Sequence, residues 1–412
     1  MMVRAVQLVS GCRGVGTVLL STTIPLFTTA FMYPVYAIAT NITTSAGLET
    51  AAVWDTVAAR QTSIRQYNDP GLSPVPFWAS RLDENQWKVI RDETGTTGKL
   101  TPFEQMAVYS VTKALKRTTL NPANGDTILV LATTKGNIEG LGKDSDERNL
   151  LSTSARLISE AAGLHTTPVV ISHACVSGVT ALHYGLRSLQ AGRYKHAIVV
   201  GADRFTRFVL SGFQSFQAVA DEPCRPFDAA RKGINLGEAA ATIILSTDKD
   251  LQPLAQLHSG ATSNDANHIS GPSRTGAELA LAINRTLQEA GITASEIGMI
   301  SAHGTATLYN DEMESKAFAL AGLLSAPVHS IKGYLGHTLG AAGILESVLC
   351  IEALNRQQLI SSAGFTTLGV PENIHVTTHP EAATFNYVLK TASGFGGCNA
   401  VALWGKVNAT MR

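Results

Sequence analysis

The chain has 412 residues, of which 45% are hydrophobic, and equal numbers of basic and acidic residues give it a formal net charge of zero. Its 36 glycines and low aromatic content, 6%, are typical of a closely packed α/β enzyme and exclude a fibrous or disordered chain. A balanced charge creates no global field for nucleic acid or an anionic membrane, so we predict neither as a partner.

The N-terminal stretch, residues 1–31, is interpreted as a leader or extension of uncertain status. It carries Arg4 and Arg13 and then an apolar, Thr-rich run that Pro25 interrupts. The run is too short to predict a membrane span, and a signal peptide is the alternative interpretation. We place the start of the folded domain near Met32.

Short apolar runs and helical periodicity alternate after this point. Runs rich in valine and isoleucine are typical of strands that are covered on both faces, and amphipathic stretches lie between them. We predict strands at 35–40, 128–133, 169–172, 197–202 and 241–246, and helices at 51–59, 178–191 and 276–290. Strands that alternate with helices predict an α/β protein with a mostly parallel or mixed sheet.

The cycle then restarts, which predicts an internal duplication. New strands are predicted at 255–261, 298–303, 328–331, 387–393 and 400–405. The letters AGL at 162–164 followed by PV at 168–169 recur, with the same spacing, at 321–323 and 327–328. We therefore predict two related halves, 32–252 and 253–412, whose corresponding strand ends face each other and form one site.

The five cysteines are scattered and none has metal-ligand spacing; they are Cys12, Cys175, Cys224, Cys350 and Cys398. An odd, dispersed set predicts a reduced, cytoplasmic protein without a metal site, in which a cysteine is either core filler or a nucleophile.

Cys175 is the candidate nucleophile because it follows a predicted buried strand and precedes a helix of small residues. The helix N-terminus is expected to lower the pKa of this thiol, and its free amide hydrogens are expected to hold an oxyanion. The alternative is a buried cysteine that behaves as a small hydrophobic residue.

Three further candidates follow predicted strands in the second half. His303 lies in SAHGTATLYNDEMES (301–315), and Lys332 and His337 lie in SIKGYLGHTLGAAG (330–343). A single histidine at a strand end is more often structural than catalytic, but α/β sheets assemble their sites at the carboxyl ends of strands. Two neutral imidazoles there would donate two hydrogen bonds to one thioester oxygen and stabilise an enolate without a metal.

A glycine-rich turn, TASGFGGCNA (391–400), follows the last predicted strand but one. It is expected to bring a backbone N–H to Cys175 and to place the ring of Phe395 as a gate.

Together these motifs resemble a β-ketoacyl-acyl carrier protein synthase, the elongating condensing enzyme of the thiolase superfamily. The resemblance runs from about Val35 to Gly405 and includes Cys175, HGTAT, KGYLGH followed by GAAG, GFGG, and CRPFDAARKGINLGEAAA at 224–241. It implies a thiolase-like duplicated fold, in which two similar α/β halves pack as a five-layer αβαβα sandwich. It also implies an acyltransferase that extends a cysteine-bound acyl chain by decarboxylative Claisen condensation with malonyl-carrier protein.

The resemblance assigns roles to the candidates. Cys175 would accept the acyl chain, while His303 and His337 would polarise the malonyl thioester carbonyl. Lys332 would be an electrostatic member held by Glu314. The remaining assignments are Glu346 as a supporting acid, Thr305 and Thr307 as phosphopantetheine ligands, the amides of Cys175 and Phe395 as the oxyanion hole, and Phe213 as a tunnel-lining residue.

The resemblance implies no bound cofactor, because the substrates are covalently attached to the 4′-phosphopantetheine of acyl carrier protein. Acyl carrier protein is therefore the expected partner, together with a homodimer or a heterodimer with a homologous synthase or chain-length factor. Departures such as HACVSG, the alanine in HGTAT and the cysteine in GFGGCNA indicate a divergent subgroup. Neither the acyl chain nor the pathway, whether fatty acid, polyene or polyketide, follows from the sequence.

Two alternatives stay open at this point. A thiolase that acts on acyl-coenzyme A would use a second cysteine near the C-terminus, and Cys398 is the candidate by position. A non-catalytic, chain-length-factor-like partner subunit would have lost the nucleophile, which this chain retains. His173, two residues before Cys175, shares its strand face, but we expect it to be structural.

Overall fold

The computed structural model describes residues 33–95, 99–143, 145–265 and 271–407, so the predicted leader at 1–31 lies outside the described residues. The strands are β1 Val35–Thr44, β2 Arg65–Tyr67, β3 Phe77–Ser80, β4 Thr127–Ala132, β5 Val169–Ile171, β6 His196–Asp203, β7 Leu236–Gly237, β8 Ala239–Ser246, β9 Ala255–Asn264, β10 Ile297–Ser301, β11 Pro327–His329, β12 His375–Val376, β13 Tyr387–Gly394 and β14 Cys398–Gly405. The α-helices are α1 Thr50–Ala58, α2 Glu84–Thr94, α3 Pro102–Leu115, α4 Asp146–Asn149, α5 Leu151–Ala161, α6 Ser177–Gln190, α7 Arg207–Ser215, α8 Ala277–Ala290, α9 Leu308–Leu320, α10 Lys332–Leu335 and α11 Ala342–Arg356.

The same strand order occurs twice along the chain. In the first half the order is β5-β4-β6-β8-β1, and in the second it is β11-β10-β13-β14-β9, with β12 beyond β11. In both halves the first three strands are parallel and the last two pairings are antiparallel. The predicted duplication of the fold is therefore confirmed. The division of the chain at 252/253 falls between β8 and β9, and two separate domains remain a prediction.

The two strand sets join because β1 and β9 pair antiparallel over three residues, which gives one 11-stranded sheet. Helices α6 and α11 pack on each other and on strands of both halves, so they form the central layer. Helices α3 and α5 cover the outer face of the first half, while α8 covers that of the second and α9 packs beside it. Three apolar clusters fill the spaces between these layers, and the predicted five-layer sandwich is confirmed.

Most of the predicted strands are covered on both faces as expected. Every residue of β6 and of β8 is buried, which agrees with their continuous apolar letters. The strand predicted at 169–172 differs, because β5 is only half-buried. It lies at the end of the sheet order, so among the described strands it has a neighbour on one side.

Helices α6 and α11 approach each other closely at their N-terminal ends. A methyl group on Gly178 would lie 2.9 Å from both the carbonyl oxygen of Gly340 and the nitrogen of Ile344. A methyl group on Gly343 would lie 2.6 Å from the nitrogen of Val179. Glycine at these positions therefore lets the two halves bring their helix starts together, and both helix starts border the site described below.

No helix in the described part of the chain combines the length and the apolar character needed to cross a lipid bilayer.

Candidate active site

Cys175 lies in the turn between β5 and α6. The residue before it, Ala174, has a φ of +45°, an uncommon conformation for a residue with a side chain. The hydroxyl of Ser177 stabilises the turn, because it donates to the Ala174 carbonyl (2.6 Å) and accepts from the His173 amide (2.8 Å). The turn directs the Cys175 side chain into the wall of a cavity, where it is 7% exposed.

The resting thiol is neutral, which differs from the prediction. Burial raises the pKa of Cys175 to about 11, although the charge of Lys332 and the amide of Phe395 act in the opposite direction. The sequence correctly indicated that Cys175 lies at the N-terminus of a helix. The extent of its burial could not be predicted from the neighbouring residues in the sequence. A thiol with this pKa is mostly protonated at neutral pH, so the reaction has to remove its proton.

The side chains of His303 and His337 lie close to that of Cys175 in the wall of this cavity. One ligand atom from each of the three residues lies within 4.8 Å of the other two, and the imidazole rings face each other edge-on with centroids 5.2 Å apart. Three such atoms have the composition of a thiophilic metal site, but the ammonium of Lys332 is buried close by and opposes a second cation. The geometry therefore brings together three side chains from distant parts of the sequence.

Both imidazoles are neutral. Burial, followed by the charge of Lys332, lowers the pKa of His303 and of His337 well below the ordinary value. The Nδ1 atom of His337 accepts the Leu339 amide hydrogen (3.3 Å), so its Nε2 carries the hydrogen and is a donor. Nδ1 of His303 is buried without a hydrogen-bond partner among the described residues, so the hydrogen on this ring can occupy either nitrogen.

Lys332 is held by a different acid from the predicted one. Its Nζ contacts Glu346 Oε1 at 2.6 Å and the carbonyl of His303 at 2.5 Å. Glu314 instead accepts the amide hydrogens of His303 (2.8 Å) and Gly304 (2.6 Å). The prediction that Glu314 holds Lys332 is wrong, because α9 carries Glu314 to the peptide groups of the loop and α11 carries Glu346 to the ammonium.

Asp311 also stabilises the loop after β10. Its carboxylate accepts the amide hydrogens of Thr305 (3.0 Å) and Phe227 (2.7 Å). Burial raises the pKa of Asp311 to about 7, and the neighbouring charge of Glu314 acts in the same direction. Buried acids on α9 therefore determine the path of the loop that presents His303.

The cavity in front of the thiol measures about 390 Å³. Thr305 and Thr307 line it, with their hydroxyls 2.8 Å apart. Phe213 also lines it and stacks on Phe395 with ring centroids 5.6 Å apart. The predicted arm-binding, tunnel and gate residues thus share one cavity with the thiol.

Phe395 lines the cavity, and its amide acts to lower the pKa of the Cys175 thiol. A methyl group on the preceding residue, Gly394, would lie 3.1 Å from the Cys175 nitrogen. The ring of Phe216 meets the ring of Phe395 edge-on at 5.4 Å. The glycine-rich turn therefore lies against the nucleophile as the sequence indicated, but sequence reasoning missed Phe216.

Cys398 and His173 contact each other, and neither lines the cavity. The Cys398 sulfur lies 2.7 Å from His173 Nε2 and 3.6 Å from Asn264 Nδ2. Cys398 is not among the residues that line the cavity, unlike its neighbours Gly397 and Asn399. This placement gives no support to Cys398 as a second cysteine of thiolase chemistry.

Sequence reasoning also missed Lys390. The residue is in the middle of β13, is completely buried, and contacts Glu346 Oε2 at 2.6 Å. A lysine inside a predicted buried strand, YVLKTAS, was the available signal, because lysine is almost never fully buried without a partner.

Comparison with models of known protein families assigns the chain to one family. The model described as "Beta-ketoacyl synthase, N-terminal domain" matches residues 34–250, and "Beta-ketoacyl synthase, C-terminal domain" matches residues 254–366. The chain therefore belongs to the β-ketoacyl synthase family, as its motifs indicated.

Individual relatives agree with this assignment. The 3-oxoacyl-[acyl-carrier-protein] synthase 2 of Mycobacterium bovis is 27% identical over 412 aligned positions, which cover 90% of this chain and 97% of that protein. The tetracenomycin polyketide synthase ketoacyl synthase alpha subunit of Streptomyces glaucescens is also 27% identical, over 88% of this chain and 95% of that protein. A 30% identical match to a relative from Streptomyces cyaneus is shorter and covers 61% of this chain and 64% of that protein.

Solved structures share the fold. The ishigamide ketosynthase/chain length factor matches with a TM-score of 0.82 at 23% identity, over 92% of this chain and all of that one. A type II polyketide synthase acyl-carrier protein in complex with its ketosynthase, AntDE:AntF, matches with a TM-score of 0.80 at 20% identity, over 91% of this chain and all of that one.

Proposed function

We propose that the chain is a β-ketoacyl-acyl carrier protein synthase, which joins a Cys175-bound acyl chain to malonyl-carrier protein by decarboxylative Claisen condensation. The observation that carries the proposal is the convergence of one thiol and two neutral imidazoles within 4.8 Å in the wall of a cavity. Neutral imidazoles donate to a developing enolate without a metal, and a thiol beside them holds the electrophile in place.

The first step is transfer of the acyl group to Cys175. The sulfur attacks the carbonyl carbon of the acyl thioester, and the bond to the phosphopantetheine sulfur breaks. The proton of the Cys175 thiol is released as the sulfur attacks. The proton then leaves with the departing phosphopantetheine thiol, and the amides of Cys175 and Phe395 receive the transient oxyanion.

The second step is decarboxylation and condensation. The malonyl carbon–carboxylate bond breaks, carbon dioxide leaves, and the electron pair stays as an enolate whose oxygen accepts hydrogen bonds from His303 and His337. The α-carbon then attacks the acyl carbon on Cys175 and the carbon–sulfur bond breaks. The Cys175 thiolate then takes up a proton from solvent, because its own proton left with the first carrier thiol, and the extended chain leaves on the second carrier.

The carrier arm and the protein partner complete the proposal. Thr305 and Thr307 place two hydroxyls on the cavity wall, where they can bind the polar phosphopantetheine arm. Relatives whose names include acyl-carrier-protein synthase and a ketosynthase in complex with its carrier support acyl carrier protein as the partner. A second synthase-like subunit, identical or homologous, is proposed on the same grounds.

We also propose a reducing, cytoplasmic location. The four described cysteines are free thiols, which is typical of proteins in reducing compartments.

The test separates the two half-reactions. Purified protein is incubated with acyl-carrier protein and the adduct is weighed by intact mass, while release of carbon dioxide from malonyl-carrier protein is followed separately. Cys175→Ala should abolish the adduct and leave some decarboxylation, whereas His303→Ala should keep the adduct and lose decarboxylation. An adduct that persists in Cys175→Ala, or absence of carbon dioxide release from the wild type, would overturn the proposal.

A further inference from the structure

Lys390 has a place in the site that no resemblance assigned. It lies on β13 directly beside Ser301, the last residue of β10, two residues before His303. Its ammonium contacts four oxygen atoms, namely the carbonyls of Ser301 (3.1 Å), Ala302 (3.4 Å) and Thr391, together with Glu346 Oε2. Burial lowers the pKa of Lys390, and Lys332 acts in the same direction, whereas the carboxylate of Glu346 opposes this shift and stabilises the ammonium.

Glu346 joins Lys390 to the reactive groups. Its Oε1 contacts the ammonium of Lys332 and its Oε2 contacts that of Lys390, each at 2.6 Å. One carboxylate therefore serves two buried ammonium groups. The two ammonium groups and one carboxylate together carry one net positive charge, next to the loop that carries His303.

We propose that Lys390 is a positioning residue for decarboxylation, whose ammonium fixes Glu346 and Lys332 and supplies positive charge behind the two histidines. This inference rests on the proposed function, because decarboxylation is the step that needs two neutral imidazole donors.

The titratable groups that face Lys390 are consistent with this role. They come from several elements: Glu346 and Cys350 on α11, Lys332 on α10, His329 on β11, the two reactive histidines, and Glu314, which accepts a hydrogen bond from Thr391. Burial, then Lys332, and then Lys390 lower the pKa of His337, and Lys390 also contributes for His303. Removal of the Lys390 charge is therefore expected to let these imidazoles protonate at a higher pH.

The experiment compares Lys390→Met and Lys390→Gln with the wild type. Lys113→Met is the matched control, because Lys113 also bridges two acids, Glu49 and Glu93, on a helix of the outer layer. Acylation of Cys175 by acyl-carrier protein and carbon dioxide release from malonyl-carrier protein are measured from about pH 5.5 to about pH 8.5.

We expect both Lys390 variants to keep acylation within about twofold and to lose decarboxylation about tenfold or more, mainly in kcat. The acid limb of decarboxylation should move to higher pH, and ammonium chloride should restore part of the rate where tetramethylammonium chloride at equal ionic strength does not. A purely structural role would lower the rate without moving the limb. Lys113→Met should match the wild type in both readouts.

Wild-type decarboxylation and a wild-type acid limb in folded Lys390 variants would overturn the inference. If neither variant folds, Glu346→Gln combined with Lys390→Met removes one charge of each sign. Recovery of folding in that double variant supports the charge pairing, and continued misfolding assigns Lys390 to stability alone. If the wild type itself releases no carbon dioxide, the proposed function fails instead.

Discussion

The contact between α6 and α11 gives a quantitative prediction for Gly178→Ala. The added methyl would lie 2.9 Å from two backbone atoms of the other half, whereas ordinary contacts of this kind begin at 3.4 Å. Backbone atoms cannot rotate away, so the helix starts have to separate by about 0.5 Å. Overpacking of this kind costs about 2 kcal/mol, which lowers Tm by about 2–3 °C in a chain of this size.

The same displacement separates Cys175 from His337. Because misplacement by about 1 Å can cost about a hundredfold in rate, half of it should cost condensation about tenfold. Acyl transfer, which needs only the thiol and the nearby amides, should fall less. The assay is a thermal melt together with separate measurement of the adduct and of the condensation product.

Gly212→Ala is the matched control for this substitution. A methyl at this position in α7 meets no atom of the described part of the chain within 4 Å, so Tm and both rates should stay close to wild-type values. Wild-type Tm and condensation in Gly178→Ala would refute the claim that helix contact sets the distance between the reacting groups.

Three other predictions follow from the same geometry. Because the pKa of Cys175 is raised to about 11, its alkylation by iodoacetamide should rise about tenfold per pH unit from pH 7 to pH 9.5, and a plateau near pH 8 would contradict the assignment. Glu314→Gln should lower the free energy of unfolding by about 3 kcal/mol in a denaturant titration, since an amide in place of the buried carboxylate meets loop amide hydrogens with a donor; unchanged stability would show that those bonds contribute little. Phe216→Ala removes an aromatic contact of about 1 kcal/mol from Phe395, so acylation by a long-chain donor should become faster, and an unchanged acylation rate would show that the gate does not depend on this ring.

The sequence allowed the strands of the two halves and the reactive residues to be anticipated for different reasons. Strands such as β6 and β8 are covered on both faces, so their continuous runs of apolar residues are sufficient to predict them. Cys175, His303 and His337 lie in short motifs whose resemblance to a family is specific. Both kinds of information are local along the chain, and both agreed with the structure.

Other features depend on which distant elements pack together, and these features could not be predicted from the sequence. Glu314 and Glu346 were equally available to Lys332 from their positions in the sequence, and only the packing of α9 and α11 separates their partners. The half-buried state of β5 follows from its place at the end of the sheet. Lys390 stood out as a charge inside a strand, but its oxygen cage is formed by residues from three separate segments.

The loop that presents His303 is held almost entirely through its peptide groups. Glu314 and Asp311 bind the amide hydrogens of residues 303–305, and Lys332 binds a carbonyl. The shape of the loop is thus determined by three groups that do not line the cavity. Because their bonds go to peptide groups, replacement of a cavity-lining side chain such as Thr307 leaves those bonds in place.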